Sequence, residues 1–363
     1  MSPALSVYIN ALRLLAAITV LIGHATQGHI SGALFWRVHF YGQDAVVVFF
    51  VLSGFVIAYV TDRREIDAAT YALHRAARIY SVAIPALILT FAADTITCHV
   101  PSAAPRPWEC VGYLDHAATA FPLSLAFLGE VWNLSIKPGT NFPYWSLGFE
   151  VPYYVMFGVF HFAPRPWNRI AAALLLIAAG PKIAAMFPVW LIGFATYRLC
   201  TRLPTDRPKA GLALWLAATI TLAATAGADH GIMYEPFHLN TEQLRANLYY
   251  LALGALVAAG IIGLHLASTA LSPLAKSAAH PINWLAGATF SIYLFHMPLL
   301  HLAATLSPWS PASWPNRALI YIAVPVIILA LAEVSERRKD AWRGGLMAVA
   351  SKAKGALPPW TPH

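Results

Sequence analysis

The sequence predicts an all-α polytopic membrane protein: about ten transmembrane helices plus one short re-entrant or surface helix on the outer side. Three observations predict it. Hydrophobic residues make up 58% of the 363 and charged residues only 11%, where a soluble domain carries about 25% charged. Apolar segments of near-spanning length recur along the whole chain. The basic residues collect in short loops between those segments, so the pI near 9.4 reports topology rather than a nucleic-acid surface.

The segments fall at about 8–28, 41–60, 76–97, 113–130, 146–163, 168–183, 186–201, 210–227, 245–267, 284–305 and 317–335. Arg13 interrupts the first and no small-residue cleavage site follows it, so it reads as a span, not a signal peptide. The loop 61–78 (Arg63, Arg64, Arg75, Arg78) is expected in the cytoplasm. So are the loop 198–209 (Arg198, Arg202, Arg207, Lys209) and the tail after 335 (Arg337, Arg338, Lys339, Arg343, Lys352, Lys354). Arg165 and Arg169 mark another cytoplasmic turn. These placements require an even number of crossings between 78 and 164. Segment 113–130, with Asp115, His116, Pro122 and Glu130, is the weakest and reads as the one that does not cross. A topology in which it crosses and a later segment does not stays open. Both termini are then cytoplasmic, with one membrane domain over 1–340 and a tail over 341–363. No repeat or separate soluble domain is evident.

Cys98 and Cys110 share the expected outer loop, where oxidation is permitted, and form either a stabilising bridge or two free thiols. Cys200 lies at a cytoplasmic helix end.

Arg13 and His24 stand eleven residues apart in the first span. Eleven steps are close to three turns, placing both on one face about 16 Å apart in depth. Alone, Arg13 reads as a snorkelling side chain and His24 as an interfacial imidazole. Two ionisable groups on one buried face suggest a functional path. In His74-Arg75-Ala76-Ala77-Arg78 the arginines are helical neighbours, suited to phosphate or to ordinary topology. Glu150 lies just inside the fifth crossing, at a depth expected to match His24, so the pair would orient and activate the imidazole. Asp44, at the start of the second span, is the competing partner, or simply a helix N-terminal acid. His296 precedes Met297-Pro298 and could satisfy carbonyls that the proline frees, or take part in chemistry. No metal-ligand spacing, phosphate loop or nucleophile elbow appears.

With these residues in view, the chain resembles the acyltransferase-3 family of bacterial integral-membrane O-acyltransferases. The resemblance rests on Arg13 with His24, the run from Phe49 to Ile57, Arg75 with Arg78, Trp145-Ser146-Leu147-Gly148-Phe149-Glu150, and Ser291 to His296. The chain departs from the family pattern at Ser81, Val151 and Pro152. The resemblance implies ten spans in the bacterial inner membrane and transfer of an acyl group, usually acetyl, from cytoplasmic acyl-CoA to a carbohydrate hydroxyl. It implies His24 as the catalytic residue and Arg13, Arg75 and Arg78 as donor-binding. Glu150 would orient His24, with Asp44, Trp145, Ser146 and His296 in support. No bound cofactor or metal is expected. The acceptor would be a surface polysaccharide or glycoconjugate, which could be lipid-linked. Acylation of a glycosylated metabolite such as a macrolide sugar is the alternative within enzymes, and transport of acyl groups or solutes the alternative outside them. General-base and acyl-imidazole routes are both open.

Overall fold

The computed structural model of the protein describes residues 1–65, 67–100, 110, 113–227 and 237–356. The side chains of Arg64, Lys352 and Lys354, and residues 357–363 of the expected tail, lie outside the described residues. Ser2 opens α1 (Pro3–Ala25) by accepting the Leu5 N–H at 3.2 Å, and Pro3 follows where its missing N–H costs nothing. A single turn, α2 (Gly28–Ser31), precedes α3 (Gly42–Arg64). Asp67 caps α4 (Ala68–His99), accepting from the Thr70 N–H at 2.8 Å and the Thr70 hydroxyl at 2.7 Å. Those bonds hold its carboxyl below the ordinary 3.8, so the cap persists above that value and is lost as pH falls through the lowered one.

Then come α5 (Tyr113–Leu125), α6 (Leu147–Phe162), α7 (Trp167–Ala179), α8 (Pro181–Cys200), α9 (Pro208–Thr225) and α10 (Thr241–Leu266). The chain continues through α11 (Ser268–Ala286) and α12 (Thr289–Leu306). After them α13 (Trp314–Ala318) runs through a wider turn into α14 (Val324–Val334), and α15 (Lys339–Ala356) follows. Among the described residues there is no strand. Among the described residues eight helices are long and apolar enough to cross a membrane. Helices α6 and α7, of 16 and 13 residues, cover the other two of the ten predicted segments but are shorter than the about 20 residues a span takes. Two helices were not foreseen. Prolines 273 and 281 and the polar face of α11 hid an amphipathic helix that packs on α1, and α15 occupies the expected tail, packed on α4.

Large apolar side chains lie on the outside as well as in the core, and a buried minority of polar groups is kept inside. Leu15, Ile88, Leu174 and Ile220 are exposed, while Asp94, Thr140, Asn141, Thr289, Ser291 and His296 are at most 1% exposed. An apolar exterior with its polar groups satisfied inside is what a lipid solvent selects. Helices α3 and α8 touch backbone to backbone. A Cβ on Gly54 would stand 2.1 Å from the Trp190 carbonyl oxygen, and one on Gly193 1.9 Å from that of Val51. Small residues permit such contact, which accounts for the glycine in the Phe49–Ile57 run. Gly54→Val should force the helices apart at a cost of about 1–3 kcal/mol, read as a lowered Tm in detergent.

Helix α5, at 13 residues about 20 Å long, is as short as α7, but Asp115, His116 and Pro122 leave it without the apolar composition that α7 has. Segment 113–130 is expected as a re-entrant or surface helix; the irregular chain that follows it is exposed at 132–135 and turns inward over 138–146. Irregular backbone at such depth is tolerated only when its polar groups are satisfied. Asp94 accepts from the Thr140 N–H at 3.0 Å and its hydroxyl at 2.5 Å. The Asn141 amide donates to the Thr90 hydroxyl and the Leu294 carbonyl, each at 3.0 Å. Lys182, 3% exposed, pairs with Glu130, 1% exposed, and donates to the Leu134 carbonyl at 3.2 Å. Lys182→Met should cost about 3–5 kcal/mol by stranding the Glu130 carboxylate, seen as a large drop in Tm. A disulfide joins Cys98 to Cys110 across a Cα separation of 5.3 Å, tying the end of α4 to the chain entering α5.

Candidate active site

Arg13, Arg75 and Arg78 line one cleft, of about 700 Å³ with its mouth included, between α1, α3, α4, α6 and α12. Ser53, Ser146, Glu150, Tyr154, Thr289 and Tyr293 share its wall. Arg13 reaches across from α1 and donates from Nη2 to the Thr289 hydroxyl at 3.0 Å. Arg75 donates from Nη2 to Glu65 at 2.8 Å. Glu65 is itself held by the Thr61 hydroxyl at 3.0 Å and by His74 Nδ1 at 3.1 Å. This fixes the Arg75 fork while its Nε stays buried with no hydrogen-bond partner. Glu336 accepts from the Ser291 N–H at 2.9 Å and hydroxyl at 3.1 Å, and its charge acts on Arg13 and Arg78.

Glu150 belongs to this cleft. Its Oε1 accepts from the Ser53 hydroxyl at 2.8 Å and from the Tyr154 hydroxyl, while the Trp190 indole N–H donates to Ser53 Oγ at 3.2 Å. The expected pairing of Glu150 with His24 is therefore corrected. The re-entrant stretch carries the chain inward as far as Leu294 before α6 begins, so Glu150 lies nearer the arginines than a helix starting at the surface would place it.

An imidazole takes the carboxylate's expected place. His24 Nδ1 stands 3.0 Å from the Val20 carbonyl and 3.1 Å from His296 Nε2. His296, fully buried, stands with Nδ1 2.9 Å from the Ile292 carbonyl. A carbonyl only accepts, so the proton of His296 sits on Nδ1 and its Nε2 carries a lone pair. His24 then holds its own proton on Nδ1, shared between Val20 and His296. Its Nε2 is left as the basic nitrogen. Tyr293 joins the two regions: it lines the arginine cleft, and its ring centroid lies 6.3 Å from that of His296. Arg13 and His24 both turn toward the parallel helix α12, at Thr289 and His296 respectively.

The remaining expected residues divide. Ser146 lines the cleft. Trp145 packs on Phe149 at 5.3 Å and borders a smaller cavity beside Glu130. Asp44 accepts from the Tyr249 hydroxyl at 3.0 Å and the Gly227 N–H at 2.6 Å, joining α3 to α10 and the end of α9 rather than serving as the partner of His24. Sequence reasoning missed Glu65, Glu336, Ser53 and Tyr154 as parts of the site. The first two are acids within otherwise basic stretches, a signal that was available.

The pattern of the acyltransferase-3 family, described as an acyltransferase domain, matches residues 6–333. The exopolysaccharide production protein ExoZ of Rhizobium meliloti (strain 1021) is 25% identical over 277 residues, covering 70% of this chain and 75% of that protein. No solved structure matches.

Proposed function

The chain belongs to the acyltransferase-3 family and is a membrane acyltransferase, and we propose that it carries an acyl group, acetyl in the simplest case, from cytoplasmic acyl-CoA to a hydroxyl of a surface polysaccharide. One observation carries the reading: Tyr293, in the wall of a cleft with three guanidinium groups, has its ring 6.3 Å from that of His296, whose Nε2 stands 3.1 Å from His24 Nδ1. Guanidinium forks suit the phosphates of a nucleotide. Pantetheine is thin enough to extend from such a phosphate site past Tyr293. Polysaccharide as acceptor is supported by the name of the ExoZ relative.

The arginine end would face the cytoplasm, where acyl-CoA is made, with both termini on that side of the bacterial inner membrane. The disulfide at the other end of α4 fits an oxidising outer compartment. His24 Nε2 would accept the acceptor's hydroxyl proton as that oxygen bonds to the thioester carbon. The C–S bond then breaks, and the departing thiolate takes up the proton as CoA-SH. His296 Nε2, accepting from His24 Nδ1–H, stabilises the imidazolium formed between these events. The same Nε2 lone pair would serve an acyl-imidazole route, with C–N replacing C–S before the sugar oxygen attacks. Mass spectrometry of surface glycans from cells with and without the protein tests the proposal. An acyl substituent should disappear with the gene, and identical glycans would refute it.

A further inference from the structure

Five residues beyond each member of the His24–His296 pair the chain carries another histidine, and these two rings also meet. The centroids of His29 and His301 lie 5.6 Å apart. Five residues along α12 rise about 7.5 Å, away from the arginines. His301 is 8% exposed, and its Nε2 is buried with no hydrogen-bond partner. His29 is half-buried, so one ring of the pair is reachable from outside. Neither ring has a part in the transfer chemistry described above. The strongly exposed Trp314 lies with its ring 5.2 Å beneath the Arg317 guanidinium, and Arg317 donates to the carbonyl of Ser31, two residues past His29.

We propose that His301 and His29 form the acceptor subsite, binding a carbohydrate hydroxyl on its way to His24, with Trp314 as a rim surface for a sugar face. The inference rests on the acyl-transfer reading. A neutral imidazole nitrogen offers one donor or one acceptor, and an alcohol hydroxyl supplies whichever is needed. An anion would ask for a committed cation. The nearby Arg317 is engaged with the Ser31 carbonyl at 3.2 Å and with Trp314. Aromatic rings alone would read as an interfacial belt. The buried unpartnered nitrogen of His301 is what a belt does not require.

The test uses the full chain in lipid nanodiscs, radiolabelled acetyl-CoA, and surface polysaccharide from cells lacking the protein, stripped of its acyl groups by mild alkali. His301→Phe should raise the KM for polysaccharide about tenfold, the worth of one hydrogen bond, and leave the KM for acetyl-CoA within about twofold. His301→Asn, which keeps hydrogen-bonding capacity at similar depth, should recover most of the loss. An unchanged polysaccharide KM in His301→Phe, or an equal rise in both KM values, overturns the subsite. If His301→Phe does not fold, His29→Leu carries the same expectation at about threefold, with the same overturning results. Wild-type protein that binds acetyl-CoA but transfers nothing to the polymer would overturn the proposed acceptor, and this subsite with it. That result is distinct from a normal wild type with unaffected variants.

Discussion

His24→Ala is expected to lower the transfer rate by about 10²–10⁴-fold, the range associated with loss of a positioned acid–base group. Acyl-CoA affinity and membrane insertion should remain close to wild type. The side chain is held by one backbone carbonyl and one imidazole, and the α1 core around it, with Ala17, Val20 and Leu21, does not depend on the ring. Radiolabel transfer measured beside acyl-CoA binding separates the two effects. Because His296 fixes the tautomer, His296→Leu should also depress the rate while sparing donor affinity, and His296→Gln, which retains an acceptor, should depress it less. Wild-type transfer by His24→Ala would remove the proposed base altogether.

The second large effect is expected at the other end of the site. Arg75→Ala with Arg78→Ala should weaken acyl-CoA binding by about 10²–10⁴-fold, taking about 1.5–3 kcal/mol for each hydrogen bond to a charged group. Glu65→Gln should reproduce part of the loss, since the Arg75 fork is set by that carboxylate. Isothermal titration with acyl-CoA reads the effect directly. Unchanged affinity in the double variant would return both arginines to a topological role. The variant must be checked for folding, because removing Arg75 leaves the Glu65 carboxylate buried with only Thr61 and His74 beside it.

Much of this was legible in the sequence because a membrane interior makes polar residues conspicuous. The spacing of Arg13 and His24 placed both on one face, and the structure directs both toward α12. The arginines three apart on α4 do share a cleft with Arg13. What sequence could not give was contact across long separations. The ring beside His24 comes from a residue 272 positions later, and that helix's proline offered a sufficient structural reason for a histidine there. Glu150 was misplaced because its depth was counted from an assumed surface start, whereas 138–146 fold inward, Thr140 and Asn141 bonding to Asp94, Thr90 and Leu294. Glu65 and Glu336 looked like loop charges because the basic residues around them dominate any count of net charge.

The account depends on a continuous route from the arginine cleft to the free nitrogen of His24. An experimental structure with a non-hydrolysable thioether analogue of acetyl-CoA tests that route most directly. The nucleotide phosphates should lie on Arg75 and Arg78, with pantetheine running past Tyr293 and the acyl carbon within about 3.5 Å of His24 Nε2. A nucleotide bound away from the arginine cleft, or an acyl end that stops short of His24 behind an unbroken wall, would contradict it.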